Sequence, residues 1–595
     1  MEATTAIRPR TGSRTIADLL PRAAELYGDR TAIRHKVDGE WRDVGFAELH
    51  RIAREIALGL IDLGIASGDR VGILCRTRPE WTYADFAITM AGAVVVPIYQ
   101  TNSPEECDWV IGDSGMTAVF CEDASQVAKV QSVRDGLPEL RHVISIEPAE
   151  GAIPLAELRE RGRAGDPSEV DARIAAVGPE DRYTIIYTSG TTGPPKGCVL
   201  LHGNYHAIVD MVNQRDVFRQ ADDDLIYLYL PLAHSLALLI QLAAYDGGTA
   251  LAYWGGDTKQ IVVELSEVRP TFLPSVPRIF EKIYGLVSAN VAPDVLAKAV
   301  EVGGKVEDLR LAGREIPAEL QAAYDQFDEQ LFKNVRAAFG GRLREAVTGA
   351  APIAKEILEL FWACGVPVME GYGLTETATA ATLSSPEHHR FGTVGRALPG
   401  VELRIADDGE ILIKGPTVFA GYHGDADASF GAVVDGWLHT GDLGSIDADG
   451  YLSITGRKKD IIITAGGKNL TPANLENDLK QSRWVSQAVM HGDRRPYPVM
   501  LVTLDEEEIV PWAQGQGIED TSIPALAKDP RVLALIQADL DTANAKYAQV
   551  EQVKRFFVLE HDLSQEDGEL TASLKVKRNV VQERYADRFD ELYTD

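Results

Sequence analysis

The segment 187–197 (YTSGTTGPPKG) brings together the residue types that bind a phosphate group. Glycines let backbone N–H groups converge on an anion, hydroxyl groups donate hydrogen bonds to phosphate oxygens, and a lysine adds positive charge. The segment holds three glycines, four serines or threonines and one lysine, Lys196. No G-x-x-x-x-G-K-[ST] pattern fits it, so it is not a Walker loop. An ordinary surface loop is the alternative interpretation.

A second segment, 370–376 (EGYGLTE), combines an aromatic ring with hard oxygen groups. Tyr372 offers a flat face on which a nucleobase can stack. Thr375 and Glu376 supply oxygen atoms suited to Mg²⁺, which usually keeps one or two carboxylates together with substrate phosphates. By itself, a GYG sequence more often forms a simple turn.

These two segments and several others resemble the motifs of the adenylate-forming superfamily. That family includes acyl-CoA synthetases, firefly luciferases and the adenylation domains of peptide synthetases. The matching segments are 187–197, 349–352 (GAAP), 370–376, 436–442 (GWLHTGD), 456–460 (GRKKD) and 466–476 (GGKNLTPANLE). They occur in the family's order, and the resemblance extends from about residue 15 to the end of the chain. It is the combination, and not any single motif, that indicates the family.

The resemblance implies a site for ATP and AMP, with Thr188 and Glu376 holding Mg²⁺. Tyr372 would stack on adenine, Asp442 would accept hydrogen bonds from the ribose hydroxyls, and Arg457 would contact ribose or phosphate oxygens. A surface Asx-turn at Asp442 and a solvated basic run at 457–459 are the alternatives. The nucleotide-binding positions are Thr188, Ser189, Gly190, Thr191, Thr192, Gly193, Lys196, Gly349, Glu370, Gly371, Tyr372, Gly373, Thr375, Asp442 and Arg457.

The catalytic residues implied by the resemblance are Lys575, Glu376, Lys196 and Thr188. Family members carry a lysine near the C-terminus that reaches the active site in the first half-reaction. The pattern K-[IV]-x-R selects Lys575 in 570–578 (LTASLKVKR). Leu574 stands where the commonest family pattern has glycine, so Lys577 remains the alternative.

Two further positions complete the implied site. His234, in LPLAHS, matches the aromatic or histidine position of the carboxylate pocket, although a lone histidine is often purely structural. Lys459 matches the hinge about which family members rotate their C-terminal domain.

The elements that would position these residues alternate between helical and strand-like patterns. Apolar runs such as 94–98 and 183–187, separated by helical segments, predict an α/β fold with helix-covered parallel sheets. We expect a large N-terminal domain, 1–459, and a smaller, mobile α+β domain, 460–595. Within the first, 290–338 predicts a helical insertion and 400–458 a β-rich subdomain of hairpins.

Composition narrows the function further. The 595 residues carry 59 Lys and Arg against 89 Asp and Glu, a formal charge of −30, which disfavours nucleic-acid binding. The five scattered cysteines predict neither disulfides nor a zinc site and indicate a reducing cytoplasm. No segment has the length and apolarity of a transmembrane helix. Peripheral contact with a membrane stays open.

The function predicted from the resemblance is ATP-dependent ligation of a long-chain fatty acid to CoA through an acyl-adenylate, with release of AMP and pyrophosphate. The helical insertion, the phrase GKNLTPANLEN and the LKVKR ending all resemble bacterial long-chain fatty acyl-CoA synthetases. A fatty acyl-AMP ligase, a synthetase for another carboxylic acid, and an inactive nucleotide- or lipid-binding homologue are the alternatives. The sequence does not define the chain length.

Overall fold

The computed structural model describes residues 8–188, 194–214, 221–465, 468–571 and 575–594. The helices in these ranges are α1 Leu19–Tyr27, α2 Phe46–Asp62, α3 Pro79–Met90, α4 Pro104–Ser114, α5 Ala124–Ser132, α6 Leu155–Arg163, α7 Pro167–Ala176, α8 His202–Asn213, α9 Ser235–Asp246, α10 Ile261–Val268, α11 Pro277–Asn290, α12 Pro293–Leu311, α13 Ala318–Phe327, α14 Lys333–Ala338, α15 Lys355–Ala363, α16 Ala426–Ala432, α17 Pro472–Leu479, α18 Glu506–Gly515, α19 Ile523–Leu526, α20 Pro530–Asn544, α21 Arg578–Arg584 and α22 Ala586–Glu591.

The strands in the same ranges are β1 Thr31–Val37, β2 Glu40–Gly45, β3 Arg70–Leu74, β4 Val94–Ile98, β5 Ala118–Cys121, β6 His142–Ser145, β7 Ile153–Pro154, β8 Arg182–Thr188, β9 Lys196–Leu201, β10 Leu225–Leu228, β11 Ala250–Tyr253, β12 Phe272–Ser275, β13 Glu345–Thr348, β14 Val368–Tyr372, β15 Thr382–Leu383, β16 Arg396–Ala397, β17 Glu402–Ile405, β18 Glu410–Lys414, β19 Gly421–Tyr422, β20 Val433–Val434, β21 Trp437–Ile446, β22 Leu452–Arg457, β23 Ile462–Ile463, β24 Asn469–Leu470, β25 Val485–His491, β26 Val499–Leu504 and β27 Arg555–Val558.

The first large sheet has a parallel centre and antiparallel edges. Its strands lie in the order β16-β15-β14-β13-β12-β10-β11-β1-β2. Neighbours from β14 to β1 are parallel, whereas β2, β15 and β16 pair antiparallel. Every residue of β10, β11, β12 and β13 is buried, as expected for central parallel strands that are covered on both faces. The parallel pairing places the carboxyl ends of β13 and β14 side by side.

The second large sheet has the order β19-β9-β8-β4-β3-β5-β6-β7. Its strands from β8 to β7 are parallel, while β8, β9 and β19 pair antiparallel. Helices α3 and α9 are buried on nearly all sides. One hydrophobic cluster contains these helices together with strands of both sheets, so the two helices belong to a core that the sheets share. The α/β prediction is confirmed.

A chain of buried polar groups crosses this shared core. The carboxylate of Asp85 on α3 accepts hydrogen bonds from the Tyr183 hydroxyl at 3.1 Å and from the Gln241 amide at 2.8 Å. Gln241 in turn accepts from Thr82 at 2.5 Å, and Thr82 lies 2.5 Å from the Tyr253 hydroxyl. These contacts join β8, α3, α9 and β11, and they provide partners for polar groups that would be costly to bury alone.

Two regions differ in secondary structure from the two large helix-covered sheets. Between Pro277 and Ala338, a stretch that the structure describes throughout, the chain forms helices α11 to α14 and no strand. Within residues 402–457, four strands form an antiparallel sheet in the order β17-β18-β21-β20, and β22 pairs with β21. Strand β19 of the same range belongs to the second large sheet. The short helix α16 interrupts this β-rich region and was not anticipated. The domain limits stay a prediction.

The C-terminal region builds a separate core around β25, β26 and β27. Two ion pairs fix the segment that carries residue 575. Arg578 donates to both carboxylate oxygens of Glu476 at 2.7 Å, and Arg584 donates to the fully buried Glu569 at 2.8 Å. Buried carboxylates of this kind are tolerated because they are paired and hydrogen-bonded.

Every helix in the described residues is too short or too polar to cross a bilayer.

Asp85 gives a testable dependence of stability on pH. Burial raises the pKa of its carboxyl to about 7, so between pH 5 and 7 the folded chain binds a proton there that the unfolded chain does not. Stability contributed by this group therefore falls as pH rises through that interval. We expect the stability of Asp85→Asn relative to the unaltered protein to increase from pH 5 to 7.5, by up to about 3 kcal/mol. The free energies of unfolding of both proteins, determined by calorimetry at both pH values, measure this difference.

The matched control is Asp43→Asn. Asp43 is paired with Arg34, which lowers the pKa of its carboxyl, so it stays ionised throughout this interval. Its difference from the unaltered protein should not change between pH 5 and 7.5. An equally flat difference for Asp85→Asn would contradict the assignment.

Candidate active site

The phosphate-loop segment is the connection of a β-hairpin. Strand β8 ends at Thr188, β9 begins at Lys196, and these two residues pair across the hairpin. The expected phosphate-binding residues Ser189, Gly190, Thr191, Thr192 and Gly193 lie outside the described residues. At Gly197 a Cβ atom would come within 2.8 Å of the Ile185 side chain and 3.0 Å of the Tyr187 side chain, so glycine leaves room for these side chains of the paired strand. The hairpin therefore fixes both ends of the loop.

Lys196 is held at this hairpin by a carboxylate and an aromatic ring. Its ammonium group lies 3.0 Å from Asp425 Oδ2 and 5.3 Å from the centre of the Tyr422 ring. Thr188 faces inward, with its hydroxyl 3.8 Å from the buried Cys198 sulfur. The two ends of the loop thus present a cation and a hydroxyl.

The segment 370–376 begins at the carboxyl end of β14. Thr348 of β13 pairs with Glu370, which brings Gly349 against this turn: a Cβ on Gly349 would lie 3.0 Å from the Gly371 carbonyl oxygen. At Gly373 a Cβ would lie 2.2 Å from the Thr379 carbonyl oxygen. Glycine at position 349 lets the two predicted motifs approach backbone to backbone, and glycine at position 373 lets the chain fold back on the residues that follow it.

Glu370 and Glu376 have different surroundings. Burial raises the pKa of the Glu370 carboxyl to about 8, so this group is largely protonated at neutral pH. Glu376, which lies with Thr375 in a one-turn 3₁₀ helix, accepts a hydrogen bond from the Tyr422 hydroxyl at 2.8 Å. Glu376 is therefore the better candidate for binding a cation.

Asp442 connects three segments of the site. It is 4% exposed, and Tyr372 donates a hydrogen bond to its Oδ2 at 2.8 Å. Arg457, its partner in the β21–β22 pairing, donates to Oδ1 at 2.7 Å. A carboxylate has about four acceptor positions, so Asp442 keeps capacity for ligand hydroxyl groups while its orientation is fixed.

His234 caps the first turn of α9. Its Nδ1 accepts the backbone N–H of Leu236 at 3.2 Å. Burial, and secondarily the charge of Lys575, lowers the pKa of the imidazole to about 4. The ring is therefore neutral near pH 7, and because Nδ1 is an acceptor, the proton is on Nε2.

The Lys575 residue as a whole is exposed to solvent, while nearby protein atoms partly desolvate its ammonium group. Burial and the neighbouring Arg457 lower the pKa of its ammonium group, while Asp442 and Glu376 oppose that shift. Its charge therefore acts on residues of three separate motifs. Lys577 points elsewhere, with its ammonium group 3.7 Å from Glu106. This contrast supports Lys575, whose catalytic role remains a prediction.

Lys459 lies in the one-turn 3₁₀ helix Lys458–Asp460, between β22 and β23. That location is compatible with a hinge, and the role stays a prediction. Tyr422 and Asp425 contact two of the predicted motifs and were not predicted from the sequence. Each lies far along the chain from its partner, and nothing in the local sequence indicates the contact.

The sequence model of the AMP-binding enzyme family matches residues 20–423, and that of the AMP-binding enzyme C-terminal domain matches residues 459–595. The long-chain-fatty-acid–CoA ligase FadD15 of Mycobacterium bovis is 40% identical over 570 residues, which cover 95% of this chain and 94% of that protein. The long-chain-fatty-acid–CoA ligase ACSBG2 of Xenopus laevis is 33% identical, over 98% of this chain and 84% of that protein.

Solved structures share the fold. The anthranilate CoA ligase AuaEII in complex with anthranoyl-AMP has a TM-score of 0.72 at 19% identity, covering 96% of this chain and 97% of the other. The o-succinylbenzoate CoA synthetase MenE from Bacillus subtilis, in complex with its acyl-adenylate intermediate, has a TM-score of 0.70 at 22% identity, covering 95% and 98%. Together with the family match along most of its length, these similarities lead to one conclusion: the chain belongs to the AMP-binding, adenylate-forming enzyme family.

Proposed function

We propose that the chain is an ATP-dependent long-chain fatty acid–CoA ligase that works through an acyl-adenylate. One observation carries the reaction class: the cations Lys575 and Arg457 lie close enough to the carboxylates Glu376 and Asp442 for their charges to interact, with Arg457 hydrogen-bonded to Asp442. The substrate class rests on relatives that are named long-chain-fatty-acid–CoA ligases and align along nearly the whole chain. ATP and CoA are the co-substrates.

In the first step, a carboxylate oxygen of the fatty acid attacks the α-phosphorus of ATP. An O–P bond forms, the bond from the α-phosphorus to the bridging oxygen breaks, and pyrophosphate leaves. Both reactants are anions, so the reaction needs cations placed where charge develops in the transition state. Three residues supply that positive charge: Lys196 at the hairpin, and Lys575 and Arg457 near Asp442.

His234 is suited to orient the attacking carboxylate. Its imidazole is neutral near pH 7, and its Nε2–H is the remaining donor because Nδ1 is occupied by the Leu236 amide. A neutral donor forms a weaker hydrogen bond than a cation does. It therefore positions the nucleophile without strongly stabilising its ground state.

Thr188 and Glu376 are the residues that would hold Mg²⁺. Their hydroxyl and carboxylate oxygens are the hard donors this ion takes beside phosphate oxygens. Cys198 contacts the Thr188 hydroxyl, and the Glu376 carboxylate acts on its thiol, so the two oxygen groups lie near each other. When bound, the ion would neutralise negative charge on the triphosphate.

In the second step, the CoA sulfur attacks the acyl carbon, the thiol proton is released, and AMP leaves. Lys575 lies close to Glu376 and Asp442, where it would obstruct the approach of the thiol. We therefore propose that 460–595 rotates as a domain relative to 1–459, with Lys459 as hinge, and brings 466–476 toward the acyl-adenylate. The division of the family match between 423 and 459 supports these limits. Cytoplasmic location remains an expectation.

The direct test measures AMP and thioester formation from MgATP and carboxylic acids of two to twenty carbons, with and without CoA. We expect thioester only when CoA is present and fastest turnover with long chains. Adenylate that accumulates without a CoA product would instead indicate an acyl-AMP ligase. No turnover with any acid would indicate an inactive homologue.

Lys575→Ala should separate the two half-reactions. Removal of a charge that acts only on the adenylation transition state should slow adenylation on the order of 100-fold. Thioester formation from supplied acyl-adenylate and CoA should stay within about twofold. Pyrophosphate release and thioester formation are measured separately.

Lys577→Ala is the matched control, because the Lys577 ammonium group pairs with Glu106. It should retain both half-reactions. Equal loss of both half-reactions in Lys575→Ala, or a greater adenylation defect in Lys577→Ala, would contradict the assignment of Lys575.

Lys459→Pro should have the opposite signature. A proline fixes φ and so hinders the backbone change that a hinge requires. We expect adenylation to persist while thioester formation from acyl-adenylate becomes slower. Unaltered thioester formation would show that the chain does not rotate about this residue.

A further inference from the structure

A short segment outside the expected motifs, strand β19 and its neighbours, contacts both the β8–β9 hairpin that carries Lys196 and the 3₁₀ turn that carries Glu376. Strand β19 pairs antiparallel with β9, with Tyr422 opposite Cys198, two residues after Lys196. The His423 amide donates to the Gly197 carbonyl at 2.7 Å, and the Phe419 amide donates to the Glu376 carbonyl at 2.9 Å. The backbone on either side of Tyr422 is thus tied to the hairpin and to the 3₁₀ turn.

The Tyr422 side chain contacts one functional group of the hairpin and one of the 3₁₀ turn. Its hydroxyl donates to Glu376 Oε1 at 2.8 Å, and the Lys196 ammonium group lies over its ring, 5.3 Å from the centre. A phenol hydroxyl can donate and a carboxylate oxygen accepts, so the hydroxyl is the donor in this bond.

The geometry of Tyr422 limits what Glu376 can do. A carboxylate bound by one donor keeps further acceptor positions for a cation, but its plane can no longer rotate freely. Hydrogen bonds to an ionised group are among the stronger ones, so the phenol selects one orientation of the carboxylate before any ligand binds. The ring beneath Lys196 restrains the lysine through the attraction between a cation and an aromatic face.

We propose that Tyr422 is a positioning residue that orients Glu376 toward the Mg²⁺ of bound MgATP and Lys196 toward the triphosphate. The inference rests on the proposed function, since it concerns the same nucleotide site. The residue touches neither the acyl group nor CoA in this role. It acts through the two groups that it holds.

The test uses binding and not turnover. Binding of α,β-methylene-ATP to the full-length protein is measured by calorimetry, once in EDTA and once with Mg²⁺, and the ratio of the two dissociation constants gives the tightening by Mg²⁺. In Tyr422→Phe, which keeps the ring and removes the hydroxyl, this ratio should fall about tenfold, as expected for loss of a hydrogen bond to a charged group. Binding in EDTA should stay within twofold.

A second variant tests the contact with Lys196. Tyr422→Leu removes the ring as well, so binding in EDTA should weaken by a further two- to fivefold, the range expected for a partly exposed cation–π contact. Tyr497→Phe is the matched control, because Tyr497 donates its hydroxyl to the Leu592 carbonyl and packs against a separate hydrophobic cluster of the C-terminal region. It should leave the ratio and the binding in EDTA unchanged.

Three results would overturn the proposal: an unchanged Mg²⁺ ratio in Tyr422→Phe, no further weakening of binding in EDTA in Tyr422→Leu, or the same loss in Tyr497→Phe. The measurement needs no carboxylic acid. Failure of the unaltered protein to activate any fatty acid would therefore count against the proposed function, while a lowered Mg²⁺ ratio in Tyr422→Phe would still support the role of Tyr422.

Discussion

The buried carboxylate of Asp442 is the contact on which the arrangement of the nucleotide site depends. Tyr372, at the end of a central parallel strand, and Arg457, at the end of an antiparallel hairpin, both donate to it. This side chain joins the first large sheet to the β-rich region at the nucleotide site, and backbone hydrogen bonds of Leu452 with Val394 and Gly395 join them elsewhere. Because a buried carboxylate is costly unless its oxygens are satisfied, each donor is held in place by the cost of leaving Asp442 unpaired.

The same logic explains how a chain with a formal charge of −30 can bind a triphosphate and a carboxylate. The protein as a whole repels such ligands, but the ligand experiences the charges nearest to it. Lys196, Arg457 and Lys575 come from widely separated segments and supply local positive charge. Two of them are paired with aspartates, Asp425 and Asp442, so the protein itself compensates these two charges.

Local sequence predicted those parts of the molecule whose signals are local. Apolar runs predicted the central strands, and the glycines of 370–376 lie where backbone segments approach closely. By contrast, the contact of Tyr422 with Glu376 spans 46 residues, and that of Lys196 with Asp425 spans 229. The Asp85 network likewise depends on how α3 and α9 pack between two sheets. Such contacts depend on the packing of distant segments, and no periodicity or motif in either segment encodes them. The choice between Lys575 and Lys577 was open for the same reason.

The two-residue strand β19 has a second consequence. Strand β9 lies next to it near the edge of the second sheet, and the edge of a sheet carries unpaired N–H and C=O groups that can pair with another chain. By covering β9, the segment around Tyr422 leaves only a very short strand at the exposed margin. The residues that shape the nucleotide site therefore also protect the apolar hairpin beside it from intermolecular β-pairing and aggregation.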